Sequence, residues 1–229
     1  MNLPIVTPTT LPIHHATDRF AVRRVYCVGR NYADHAIEMG DTGREPPFFF
    51  MKPADALFEV AEGVEAQWPY PVATEDCHHE VELVVALGKG GSNLSLDEAR
   101  SAIWGYALGL DMTRRDRQAE MKKGSKPWEI GKAFDHGAPI GPLVSIAQTG
   151  ELTQGEVSLK VNGQTRQKGD LRQLIWSTNE VICELSKAWR LAPGDLIYTG
   201  TPAGVAAISR GDVLEASAPN LPGLRLRVV

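Results

Sequence analysis

Cysteine is scarce in this sequence, and the few present exclude two classes of protein. Cys27, Cys77 and Cys183 are odd in number, widely spaced and outside any C-x-x-C pair, which argues against a disulfide framework or a zinc knuckle and for reduced thiols. Long apolar runs are missing too: no segment approaches the roughly 18 residues that a membrane helix needs. The opening MNLPIVTPTTLP has no basic stretch followed by an apolar one, so a secretory leader is not expected and cytoplasmic residence is. Nor does one sign of charge prevail. With 24 Lys+Arg against 28 Asp+Glu the formal balance is only -4, which gives no support to nucleic-acid or anionic-membrane binding and leaves a small molecule as the expected partner. Internal repeats, low-complexity linkers and regular strand-helix alternation are absent as well, which excludes solenoids and a doubly wound parallel sheet.

What remains is a chain of 229 residues, 43% of them hydrophobic, long enough to bury a sizeable core as one domain. Residues 1–20, with Pro4, Pro8 and Pro12 among Thr and His, read as an extended arm; residues 21–229 form the domain. Apolar, β-branched and aromatic runs bounded by Gly, Pro and Asn predict strands over 22–28, 48–51, 81–87, 103–110, 157–161, 196–199, 213–216 and 224–228. Asn162-Gly163 signals a tight hairpin. Helices are fewer. Two open with the capping boxes Ser95-x-x-Glu98 and Ser177-x-x-Glu180, and a third runs from about Thr113 to Lys123 and stops at Gly124. The expected class is α+β, mainly β. In the last strand Leu224, Leu226 and Val228 alternate with Arg225 and Arg227, as in an antiparallel sheet with one wet face.

The most informative segment is His78-His79-Glu80-Val81-Glu82-Leu83-Val84-Val85-Ala86-Leu87. As a strand it puts His78, Glu80 and Glu82 on one face and Val81, Leu83, Val85 and Leu87 on the other. A solvated face is the ordinary fate of such an E-x-E pattern, since Glu is seldom buried unpaired. Here, however, the Glu face continues into Val84 and Ala86, so it is at least partly buried, and adjacent buried carboxylates repel unless a proton or a cation lies between them. Asp111, ending the apolar run Ile103–Leu110, could complete a three-oxygen site. Such a donor set suits Mg²⁺ or Mn²⁺ rather than zinc.

Two further clusters surround it. In Gly29-Arg30-Asn31-Tyr32-Ala33-Asp34-His35-Ala36-Ile37-Glu38-Met39-Gly40, read as a short helix with Asn31 as N-cap and flanking glycines as hinges, His35 and Glu38 stand at i and i+3. Such a dyad can hold a water and take its proton, although the same pair is also common on a plain surface helix. After Asp111, Arg115 and Gln118 share a face at i and i+3 and could grip a carboxylate; Arg114, Arg117, Lys122 and Lys123 read as solvated. Gly131-Lys132 is not a phosphate loop, because Lys126 stands where the required glycine would be and Ala133 where Ser or Thr would be.

Together, GRNYADHAIEMG (29–40), FFFMKPADAL (48–57), HHEVELVVALG (78–88), GYALGLDMTRRDRQAEMKKGSKPWEIGKAFD (105–135) and IYTGTPAGV (197–205) resemble the fumarylacetoacetate hydrolase family, closest to its small bacterial fumarylpyruvate hydrolases and acylpyruvases. The resemblance implies a mixed β-roll with few short helices, a homodimer, and a Mg²⁺ or Mn²⁺ cofactor held by Glu80, Glu82 and Asp111. It implies that His35 and Glu38 form a lid dyad, that Lys132 is the active-site lysine, and that Arg115, Gln118 and Thr201 contact substrate. The reaction it implies is hydrolysis of a carbon-carbon bond in an acylpyruvate, fumarylpyruvate first, within aromatic-acid degradation through gentisate. Arg30, Arg44 and Lys52 are the candidate cations for a distal substrate carboxylate, with Arg30 taken as a substrate contact. Two other readings stay open: an oxaloacetate decarboxylase, or an isomerase or decarboxylase of ring-cleavage products, on the same scaffold, and a non-enzymatic binding protein with a structural cation.

Overall fold

A computed structural model of the chain describes residues 3, 5–32 and 44–229. Its centre is a mixed eight-stranded sheet. Along one path the strands are Phe48–Lys52, Val25–Gly29, Leu196–Tyr198, Val81–Leu87, Ile103–Leu110, Ala138–Ile140 and Leu57–Glu59, and Val144–Ser145 adds to Ile103–Leu110. Two of the pairings are parallel, Leu196–Tyr198 with Val25–Gly29 and Ala138–Ile140 with Leu57–Glu59. A five-stranded sheet runs Gln164–Asp170, Glu156–Val161, Val213–Ser217, Leu224–Val228 and Glu65–Trp68. The architecture is mainly β with a few short helices, as the sequence predicts.

The two sheets enclose the main core. Val81, Leu83, Val85 and Leu87 pack in one cluster with Val157, Leu159, Leu214, Leu226 and Val228, and with Val181, Ile182 and Leu185 of the Thr178–Ala188 helix. The opposite face of the large sheet is buried as well. There Val84, Ala86, Ala107, Val25, Cys27 and Tyr198 join Leu11 in a second cluster. Strand Val81–Leu87 is therefore buried at every residue, which makes an acid within it costly unless it is paired.

Local signals fall where the residues put them. Both capping boxes are formed, with Ser95 and Ser177 each accepting from the backbone N–H of the glutamate three residues on. Asn162 and Gly163, at φ +52° and +77°, close the two-residue turn between Glu156–Val161 and Gln164–Asp170. The third helix starts at Arg115 rather than Thr113, because Thr113–Arg114 pairs with Cys77–His78. The proline-containing N-terminal stretch contains a hairpin, Thr10–Pro12 against Arg19–Ala21, with Leu11 buried. Among the described residues no helix is long and apolar enough to cross a membrane, and all three cysteines are free.

Candidate metal centre and active site

The three acids meet because two neighbouring strands end together. Val81 pairs with Leu110 in the antiparallel register, so Glu80 and Asp111 flank that pair, and the Asp111 N–H donates to the Glu80 carbonyl at 2.8 Å. Glu82 lies opposite Gly109, two residues further in. Ligand oxygens of Glu80, Glu82 and Asp111 all lie within 4.8 Å of one another, and all three residues are buried.

Among the described residues three cations pair with these acids. Arg115 donates to Glu80 Oε1 at 2.5 Å. Lys132 Nζ donates to Glu80 Oε2 at 2.9 Å, to Asp111 Oδ2 at 2.7 Å and to Thr113 Oγ1 at 2.7 Å. Lys52 Nζ stands 2.9 Å from Asp111 Oδ1. Burial alone would raise the Glu80 carboxyl, but Lys132 and Arg115 overcome it and hold that group well below the usual carboxylate range. Glu82 goes the other way. Burial pushes its carboxyl far up, the Asp111 and Glu80 charges push it further, and the Gly200 N–H, donating to Oε2 at 2.8 Å, only partly opposes them. Gly200 can aim that N–H because it sits at φ +103°, pressed against Asn31.

A divalent cation fits this cradle. Asp111 Oδ1 is buried and, although near Lys52, accepts no hydrogen bond from the described residues, and the Glu82 carboxyl is crowded by two carboxylates. Oxygen donors alone match a hard ion such as Mg²⁺ or Mn²⁺.

The cavity above the acids is lined by Arg30, Arg115, Gln118, Lys132 and Thr201, with Phe48, Phe50 and Trp128 as its aromatic wall. Every site residue expected from the sequence and lying among the described residues thus borders one space. His35 and Glu38 lie outside the described residues. Arg115 and Gln118 share a face, as their spacing predicts, and Arg115 donates to Gln118 Oε1 at 2.6 Å. The Glu129–Lys132 helix can approach the helix that carries them because residue 131 is glycine; a Cβ there would stand 2.9 Å from the Gln118 backbone nitrogen.

Some expectations need correction. Lys52 cannot serve a distal carboxylate, because its side chain is fully buried and turned to Asp111. Arg44 lies over the Trp176 ring at 4.2 Å and pairs with Glu180. Arg114 is not simply solvated, since it lies over Phe134 at 4.5 Å. The helix that Asn31 is expected to cap lies outside the described residues; the Asn31 amide donates to the Trp176 and Thr199 carbonyls and accepts from the Trp176 N–H. One residue escaped the sequence reading altogether. Gln167, fully buried, meets His79 Nδ1 at 2.8 Å, accepts from the Val81 N–H at 3.1 Å, and donates to Thr201 Oγ1 at 2.7 Å and the Pro202 carbonyl at 2.8 Å. A polar residue in a strand facing solvent at its neighbours carries no sequence signal for that role.

A buried three-carboxylate cradle at the paired ends of two strands, roofed by an arginine, a glutamine and a lysine, defines a divalent-metal enzyme. The chain belongs to the fumarylacetoacetate hydrolase family: the family's C-terminal domain matches residues 24–229. It is similar to a fumarylpyruvate hydrolase of Pseudomonas aeruginosa, whose crystal structure holds Mn²⁺ and pyruvate, at 52% identity and a TM-score of 0.97 over 99% of this chain and 98% of that one. It is 41% identical to a fumarylpyruvate hydrolase of Ralstonia sp over 82% of this chain and 95% of that protein. A mitochondrial oxaloacetate decarboxylase of Dictyostelium discoideum is 38% identical over 87% of this chain and 90% of its own.

Proposed function

We propose that this protein hydrolyses acylpyruvates, fumarylpyruvate to fumarate and pyruvate in particular, with Mg²⁺ or Mn²⁺ held by Glu80, Glu82 and Asp111. The observation that carries the reading is the convergence of these acids beneath Arg115, Gln118 and Lys132 in one cavity. Likeness to an enzyme that holds Mn²⁺ and pyruvate supports it.

Arg115 and Gln118 grip the substrate's carboxylate beside the acids, with Thr201 on the same wall, so 2-oxo acids are selected. Glu38, oriented by His35, takes a proton from water. That water's oxygen bonds to the 4-carbonyl carbon, and Lys132 meets the oxyanion that develops there. The bond between C3 and C4 then breaks, its electron pair leaves on C3 as the enolate of pyruvate, and protonation of C3 gives pyruvate beside the free acid. When bound, the divalent ion supplies Lewis-acid stabilisation to the oxygen that becomes negative on the leaving group. Arg30, which borders the cavity, faces the far end of the acyl group. Family likeness makes a homodimer the expected state, which light scattering would check.

The Dictyostelium relative keeps oxaloacetate decarboxylation as the second reading. Removing carbon dioxide needs no activated water, so Glu38→Ala separates the two. With metal present, the variant is expected to lose fumarylpyruvate hydrolysis by more than about 100-fold, the upper part of the general-base range, while any decarboxylation of oxaloacetate survives. Unchanged hydrolysis in that variant would end the assignment.

A further inference from the structure

Lys52 is the buried cation that the mechanism leaves unused. It ends the strand Phe48–Lys52 at the edge of the large sheet, and its side chain has no exposure. Burying an ammonium costs several kcal/mol unless partners surround it, and this one has two carbonyl acceptors and a carboxylate at ion-pair distance. Its Nζ donates to the carbonyl of Met112 at 3.1 Å and to the carbonyl of Lys132, and stands 2.9 Å from Asp111 Oδ1. The Phe134 ring closes the pocket, 5.2 Å from the nitrogen to its centroid.

Those partners are informative as a set. Asp111 is an acid of the cradle, Met112 is the next residue along the chain, and Lys132 supplies the other ammonium that touches Asp111, through Oδ2. One nitrogen therefore fixes the side chain of an acid, the backbone just after it, and the backbone from which the active-site lysine springs. An ammonium is a compact charge that can donate to two carbonyls and still face a carboxylate in a third direction; a guanidinium is a planar fork and cannot imitate it.

We propose that Lys52 is a positioning residue of the metal centre, fixing Asp111 and Lys132 relative to each other and so setting both affinity for the divalent ion and turnover. The proposal rests on Glu80, Glu82 and Asp111 being the metal ligands. Partners behind metal ligands typically contribute 10- to 100-fold to metal affinity or activity, and that is the scale expected here.

The test is Mn²⁺ binding to purified protein, followed by the loss of the free-ion electron paramagnetic resonance signal, for wild type, Lys52→Met and Lys52→Arg. Steady-state kcat and KM on fumarylpyruvate are measured beside it. Lys52→Met is expected to weaken Mn²⁺ binding at least tenfold and, at saturating Mn²⁺, to lower kcat with KM little changed, because Lys132 is no longer held. Lys52→Arg keeps the buried positive charge, which protects the fold should the methionine variant fail to fold, and it too is expected to lose at least tenfold in Mn²⁺ affinity. Arginine binding Mn²⁺ as wild type does would show that charge alone suffices and would overturn the positioning role. Wild-type protein that binds no Mn²⁺ would remove the metal reading and this inference with it. Normal Mn²⁺ binding without any acylpyruvate turnover would sink only the proposed substrate.

Discussion

Arginine in the left-handed region of the backbone is uncommon, because a Cβ there crowds the neighbouring carbonyl. Arg30 nevertheless sits at φ +55°. It follows Gly29, whose missing Cβ leaves room for the Phe48 ring, and its guanidinium lies 5.8 Å from that ring's centroid. The residue borders the cavity above the acids and also a second one beside it, formed with Pro47, Phe48 and Trp176. A distal carboxylate would reach this side of the site, where Arg30 lines both cavities. For Arg30→Met, kcat/KM on fumarylpyruvate is expected to fall roughly 10- to 100-fold, the worth of one charge-assisted hydrogen bond. Acetylpyruvate, which has no second carboxylate, should be turned over as before. Competition kinetics with the two substrates measures the ratio, and an equal loss on both would remove Arg30 from the distal role. Sequence alone left three cations open at this point, because which of them is buried depends on contacts distant along the chain.

At the scale of elements, the strands that carry the acids were legible because each is mostly apolar over seven or eight residues, with Glu82 the one charged residue inside either. Val81–Leu87 and Ile103–Leu110 begin and end as expected. Less was legible where the chain is short or polar. Glu65–Trp68 is only four residues long and Gln164–Asp170 shows no apolar alternation; the first owes its strand state to distant pairing with Leu224–Val228, the second to its hairpin partner Glu156–Val161, and in both pairing overrides local preference. The approach of the two short helices behind the cavity was equally hidden, since it depends on one missing Cβ. Gly131→Ala would push the Glu129–Lys132 helix off the Arg115–Lys123 helix, because the new methyl would meet backbone at 2.9 Å rather than a side chain able to turn aside. Overpacking of this kind costs about 1–3 kcal/mol. Since Lys132 ends the displaced helix and Gln118 lies on the other, kcat should fall more than tenfold. Gly124→Ala is the control: its Cβ would meet nothing closer than 3.4 Å and its φ is -87°, so chemical denaturation and kcat should both match wild type.

For the whole molecule, the question is whether the metal is needed to fold. Glu80 and Asp111 are already bound by Arg115, Lys132 and Lys52, so the cradle holds together through the protein's own cations. Glu82 is the exception, buried with its carboxyl pushed far up by burial and by its acidic neighbours. Its raised value means that the folded chain holds a proton there which the unfolded chain releases. That group therefore favours the folded state at low pH and opposes it as pH rises above the ordinary carboxylate range. Metal-free protein should consequently fold, and Mn²⁺ should stabilise it by mass action, by about 2.7 kcal/mol at a hundred times Kd. In a chain of this size, that corresponds to a rise in Tm of roughly 5–10 °C. Glu82→Gln keeps the shape and cannot ionise: without metal at neutral pH it should melt no lower than wild type, and Mn²⁺ should raise its Tm by less than about 2 °C, a small fraction of the wild-type shift. Differential scanning calorimetry with and without Mn²⁺ reads both numbers. A Glu82→Gln protein that gained as much from Mn²⁺ as wild type would mean that the ion is held elsewhere, and a wild-type chain that unfolds when stripped of metal would mean that Lys132, Arg115 and Lys52 do not hold the cradle.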